Sequence, residues 1–99
     1  MKQYTTTEQT AKLIELGFTQ PRTKIPFEVG NEELGYAYSI GELISFLPDD
    51  GESDRRLEFD GFDWIVDWDS FDKIRQTMQV ELIDALYDMV VKLKEEGDI

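Results

Sequence analysis

Apolar positions along the chain follow two rhythms: a three-and-four spacing near both ends and in the middle, and a two-residue alternation in the third quarter. Ala11, Leu13, Ile14 and Leu16 carry the first helical stripe. Thr6-Thr7-Glu8-Gln9 places its start near Thr6 or Thr7, because a hydroxyl cap with Gln three residues on satisfies two orphan amides reciprocally. Gly17 supplies the left-handed stop. Ser39-Ile40-Gly41-Glu42 repeats the capping pattern ahead of Ile40, Leu43, Ile44 and Leu47, and Pro48 forbids continuation of this short helix. Val80, Ile83, Leu86, Tyr87, Val90 and Leu93 predict a third helix starting between Thr77 and Val80. Lys92 and Lys94 complement the dipole of its last turns, and Gly97 ends it.

Between the helices, Pro21 and Pro26 make residues 18–26 a connection. Residues 25–29 and 34–38 read as two short strands set off by Gly30 and Gly35. Residues 49–56 are polar and form a surface loop. Leu57-Glu58-Phe59, then Asp60-Gly61, then residues 62–68 form a hairpin signal, with Asp-Gly as a two-residue type I′ turn. That turn pairs Phe59 with Phe62, Glu58 with Asp63 and Leu57 with Trp64. Leu57, Phe59, Phe62, Trp64, Val66 and Trp68 then share the core face, with Trp68 and Phe71 at its partly exposed end.

The expected architecture is a single α+β domain over residues 1–99, in the order helix, two short strands, short helix, β-hairpin, C-terminal helix, with the last helix packed on an antiparallel sheet. A chain of 99 residues with six Phe, four Tyr and two Trp suffices for one modest core. The last helix serves that core first, and a seam between two copies second, so monomer and homodimer both remain open.

Charge changes the picture more than size does. The net charge is −12. Residues 1–48 hold six acids against four bases, residues 49–72 ten against two, and residues 73–99 six against four. The middle quarter thus carries two thirds of the excess, an acidic patch that disfavours direct nucleic-acid binding. The chain has no Cys and no His, which removes disulfides, thiolate nucleophiles and the commonest general base and transition-metal ligand. No enzyme and no cofactor is expected. With no apolar run of membrane-spanning length and a polar start, the chain reads as cytoplasmic, with no membrane partner.

Three segments carry a resemblance: Ala11-Lys12-Leu13-Ile14-Glu15-Leu16-Gly17-Phe18 before a proline, Tyr38-Ser39-Ile40-Gly41-Glu42-Leu43-Ile44-Ser45-Phe46-Leu47-Pro48, and Glu81-Leu82-Ile83-Asp84-Ala85-Leu86-Tyr87. Read together they resemble a family of small uncharacterised proteins of bacteriophage, prophage and mobile-element genomes. These are helix and cap patterns, so the resemblance implies a small accessory protein and no particular activity.

The candidate partner-binding residues are Glu58, Asp60, Asp63, Asp67, Asp69 and Trp68. Asp60, Asp63, Asp67, Asp69 and Asp72 do not have the spacing of a calcium-binding loop, and no metal ligands are assigned. In the expected register Glu58 opposes Asp63, and like charges across a strand pair repel. Either Arg55 and Arg56 offset this, or a basic protein partner does. Acids two apart on a strand lie ~6.6 Å apart, comparable to successive phosphates of a nucleic-acid strand. The function expected is a non-enzymatic interaction protein. A DNA mimic that inhibits a host nucleic-acid-binding protein is the alternative, and a carboxylate-dependent metal enzyme a more distant one.

Overall fold

Both capping boxes form at the expected residues. In the computed structural model, described for residues 2–24, 36–47, 54–70 and 73–99, the Gln9 N–H donates to Thr6 Oγ1 at 3.1 Å and the Thr6 N–H to Gln9 Oε1 at 2.9 Å. This opens α1 (Thr7–Glu15). Ser39 and Glu42 make the same exchange at the head of α2 (Ile40–Phe46). The Gly17 N–H donates to Ile14 O and the Phe18 N–H to Leu13 O, closing α1 in a Schellman motif. The Gly97 N–H to Lys94 O and Asp98 N–H to Leu93 O bonds close α3 (Leu82–Glu95) in the same way, with Gly97 at φ 82°.

A short antiparallel pair, β1 (Thr23–Lys24) with β2 (Tyr36–Ala37), lies between α1 and α2. β2 falls inside the expected 34–38 strand, while the 25–29 strand lies outside the described residues. Tyr38, fully buried after β2, donates its hydroxyl to Thr19 O at 2.6 Å and so ties the connection to the core. Its backbone N–H donates to Thr5 Oγ1, which lies 2.7 Å from Thr10 Oγ1. Thr10 commits its proton to Thr6 O, so the shared proton of that hydroxyl pair comes from Thr5. The extended N-terminal segment is thereby fastened inside the fold. Lys2 fastens it again, through its Nζ on Asp84 and its N–H on Glu81.

The main sheet has three antiparallel strands in the order β3 (Asp54–Phe59), β4 (Trp64–Ser70), β5 (Lys73–Gln79). α3 packs on β4 and β5 and against α2. Leu82, Ile83, Leu86, Met89, Val90 and Leu93 of α3 meet Val66 and Trp68 of β4, with Leu13, Tyr38, Leu43 and Leu47 closing the core.

Several sequence expectations need correction. β1 falls within residues 18–26, expected as a connection, and β3 starts at Asp54, inside residues 49–56, expected as a loop, because pairing with β2 and β4 extends both segments. β5 occupies residues 73–76, to which no element was assigned, and the expected start of the last helix, so α3 starts at Leu82, and Val80 is an exposed residue ahead of it. β5 escapes detection because its polar positions, Arg75, Thr77 and Gln79, pair with Trp68, Val66 and Trp64 and face the helix, whereas Ile74 and Met78 face outward.

The hairpin turn is centred on Gly61-Phe62 rather than Asp60-Gly61. Only Gly61 has positive φ, 99°, the φ signature of a type II′ turn. Asp60 Oδ1 drives this choice by accepting from the N–H groups of Phe62 and Asp63 at 2.8 and 2.7 Å, while the Asp60 N–H donates to Asp63 O. The register moves by two, pairing Phe59 with Trp64, Glu58 with Ile65 and Leu57 with Val66. A slip of two preserves the faces, so Leu57, Phe59, Trp64, Val66 and Trp68 do share one. Phe62 leaves that face for the turn and is 84% exposed.

Trp68 is only 4% exposed rather than partly open, because Arg75 lies over its ring. Phe71 lies outside the described residues.

Candidate functional site

Since α3 takes the Trp64, Val66 and Trp68 side of the sheet, the opposite side is defined by the remaining positions of each strand. Three rows cross it. Glu58, Ile65 and Met78 form the first, Arg56, Asp67 and Gln76 the second, and Asp69 with Ile74 the third. Arg56, Glu58, Ile74, Gln76 and Met78 are all exposed, and Ile74 is 84% so. Antiparallel sheets ordinarily present polar residues to water. This face instead alternates acids with Ile65, Ile74 and Met78.

The candidate acids gather here. Glu58, Asp67 and Asp69 stand on the face itself, and Asp60 and Asp63 sit at its turn end. Their environments differ. The backbone N–H groups of Asp63 and Phe62 hold the Asp60 carboxyl below its ordinary range, which commits that side chain to the turn. Asp67 accepts from Gln76 Nε2 at 2.9 Å, so it is partly compensated within the sheet. Asp69 Oδ1 is shielded from solvent and accepts no hydrogen bond, a desolvation cost that a donor from outside would remove. The Glu58–Asp63 opposition does not occur, because Glu58 faces Ile65, and the repulsion inferred from it falls away. Trp68 is on the buried face, separated from the acids by the sheet itself.

Ile65, Ile74 and Met78 complete the face and were not singled out in the sequence. Their alternation with Asp67, Asp69 and Gln76 is the available signal, but it acquires a direction only once the helix has chosen its side of the sheet.

Elsewhere, an open cleft of about 190 Å³ lies between α2 and β3, lined by Ile44, Leu47, Arg55, Leu57, Val66 and Asp67. Arg55 spans it with a 3.3 Å bond to Ile44 O. Among the described residues no group of three or more acidic side chains is placed to hold a metal ion. Burial, with Glu42 adding to it, pushes the Tyr38 phenol up to about 12, and burial with Asp88 and Glu95 raises Tyr87, so neither is poised for proton transfer near neutrality. Burial works to raise the Glu42 carboxyl, but bonds from the Thr23 hydroxyl, the Arg22 N–H and Ser39 outweigh it and hold it low. Its role is to join β1 to the head of α2. Among the described residues no helix is long and apolar enough to cross a membrane.

The chain is therefore a small α+β domain whose three-stranded sheet is covered by a helix on one side and carries a mixed acidic and apolar surface on the other. Comparison with protein-family models, curated proteins and solved structures finds no match.

Proposed function

We propose that this is a non-enzymatic interaction protein whose outer sheet face binds a basic protein surface, as a small accessory protein of a phage or mobile element would. The carrying observation is the combination of exposed Ile74 and Met78 with Glu58, Asp67 and Asp69 on one face. Exposed apolar side chains on a sheet's open face do nothing for the monomer's core, and they mark contact surfaces when set among polar groups. The acids select the partner's charge. Asp69 adds a carboxylate at its end of the face, where a partner's Arg or Lys would be favoured.

The interleaving favours this reading over pure phosphate mimicry, which would need the acids in an unbroken row free of internal compensation. The two readings separate in one experiment. The tagged protein is used to capture proteins from bacterial lysate at low and high salt, beside Asp67→Asn/Asp69→Asn and Ile74→Ser/Met78→Ser, with bound proteins identified by mass spectrometry. The proposal expects a basic protein that both double variants lose and that survives moderate salt. Steep loss in salt, with the serine variant still binding, would make the mimic the better account. A partner retained by both variants, or no partner, would overturn both.

A further inference from the structure

β3 forms one edge of the sheet, and every residue from Arg55 to Phe59 is exposed. Its hydrogen-bonding phase follows from the turn. The Asp60 N–H bonds Asp63 O, so 60 and 63 are a hydrogen-bonded pair, and alternation makes Phe59, Leu57 and Arg55 the positions whose N–H and C=O point away from β4. Leu57 and Phe59 thus present their donor and acceptor pairs to whatever lies beside the edge. Leu57 and Phe59 also remain exposed on the helix-facing side, because β3 reaches past α3.

We propose that this edge pairs with β3 of a second copy of the chain, antiparallel, about a two-fold axis through Leu57, joining the two sheets into one of six strands. The sequence of the strand is self-complementary in that register. Leu57 meets Leu57 of the other copy as a hydrogen-bonded pair, and Arg55 stands opposite Phe59. On the outer face Arg56 meets Glu58, twice by symmetry. Neither residue has an ion pair among the described residues. The neighbouring in-phase registers fail at their centres, where Arg56 would face Arg56 or Glu58 would face Glu58. Charged side chains on an edge strand deter pairing with other chains. Here the same charges match a two-fold copy of themselves, so they exclude other partners and select this one. Glu58 also stands on the proposed partner face, but the dimer needs none of Ile74, Met78, Asp67 and Asp69, so each can fail without the other.

The test is sedimentation velocity of the intact chain over a concentration series, with far-UV circular dichroism confirming that each variant is folded. Wild type is expected to dimerise. Arg56→Glu and Glu58→Arg, each placing like charges at both outer pairs, are each expected to weaken the dimer by about tenfold or more. Mixing the two single variants restores it as a heterodimer, since every added carboxylate then meets an added guanidinium, and the double exchange Arg56→Glu/Glu58→Arg restores a homodimer. A wild type that stays monomeric at every concentration reached overturns the inference. So does a dimer that neither single variant weakens, or one that mixing does not restore.

Discussion

The guanidinium of Arg75 lies 5.6 Å from the centre of the Trp68 ring, on the helix-facing side of the sheet. A cation there needs compensation, since Arg75 is only 5% exposed. It comes from the segment after α3, where Glu96 Oε2 lies 2.5 Å from Arg75 Nε and Asp98 Oδ2 lies 2.6 Å from its terminal NH2 group. The turn at Gly97 brings both acids back onto β5, so the helix end, the sheet and the tryptophan form one unit.

Breaking that unit from the acid side is expected to cost more than removing it altogether. Asp98→Asn/Glu96→Gln leaves a buried cation without its carboxylates and should lose on the order of 3 kcal/mol in urea unfolding. Arg75→Leu added to that background should recover part of the loss. Asp98 is the better shielded acid, so Asp98→Asn alone should outweigh Glu96→Gln. Equal stability of Asp98→Asn and wild type would refute the clamp.

Tyr38 sets an alkaline limit. Below its ordinary value of 10.0 the phenol is protonated whether the chain is folded or not, so the contribution of its burial is fully present. As pH rises from 10.0 towards about 12, the unfolded chain gives up the proton and the folded chain keeps it, so stability is lost across that window. Tyr38→Phe should cost ~1 kcal/mol at neutral pH, for the bond to Thr19 O, and should shrink the alkaline loss. Tyr87, raised in the same direction, accounts for part of what remains. Denaturation midpoints of both proteins at neutral pH and within the window decide it, and parallel curves would exclude Tyr38 as the source.

The turn makes a sharper distinction. Nothing lies within 4 Å of where a Cβ on Gly61 would stand, so Gly61→Ala should cost ~1 kcal/mol through its positive φ alone. Phe62→Ala should change stability by less than about 0.5 kcal/mol, because its ring is in solvent. Asp60→Ala should destabilise and Asp60→Asn much less, since the amide keeps an acceptor for the two backbone N–H groups. Thermal unfolding of the four variants checks this. A large loss from Phe62→Ala would mean the ring packs in the core after all.

The caps of α1 and α2 and the glycine stops of α1 and α3 were legible because their partners are local, whereas the start of α3 was not. Thr6 with Gln9, Ser39 with Glu42, and the glycines at 17 and 97 all act within a few residues of the bonds they make. The gathering of Glu58, Asp67 and Asp69 on one side was legible too, since alternation survives a register slip of two. The apolar half of that side was not, because Ile74 and Met78 belong to β5, a strand the sequence did not reveal.

The sequence alone determined the three amphipathic stripes, the caps of the first two helices, the stops at Gly17 and Gly97, the existence of a hairpin and the concentration of acid in it, because these depend on neighbours along the chain. Tertiary structure decided the register of the hairpin, the strand at residues 73–79, the burial of Trp68 and which side of the sheet meets water. Strand pairing and burial draw their partners from distant residues. Arg75 can occupy the inner face of β5 only because Glu96 and Asp98, more than twenty residues on, return to neutralise it, and that inversion sends Ile74 and Met78 outward.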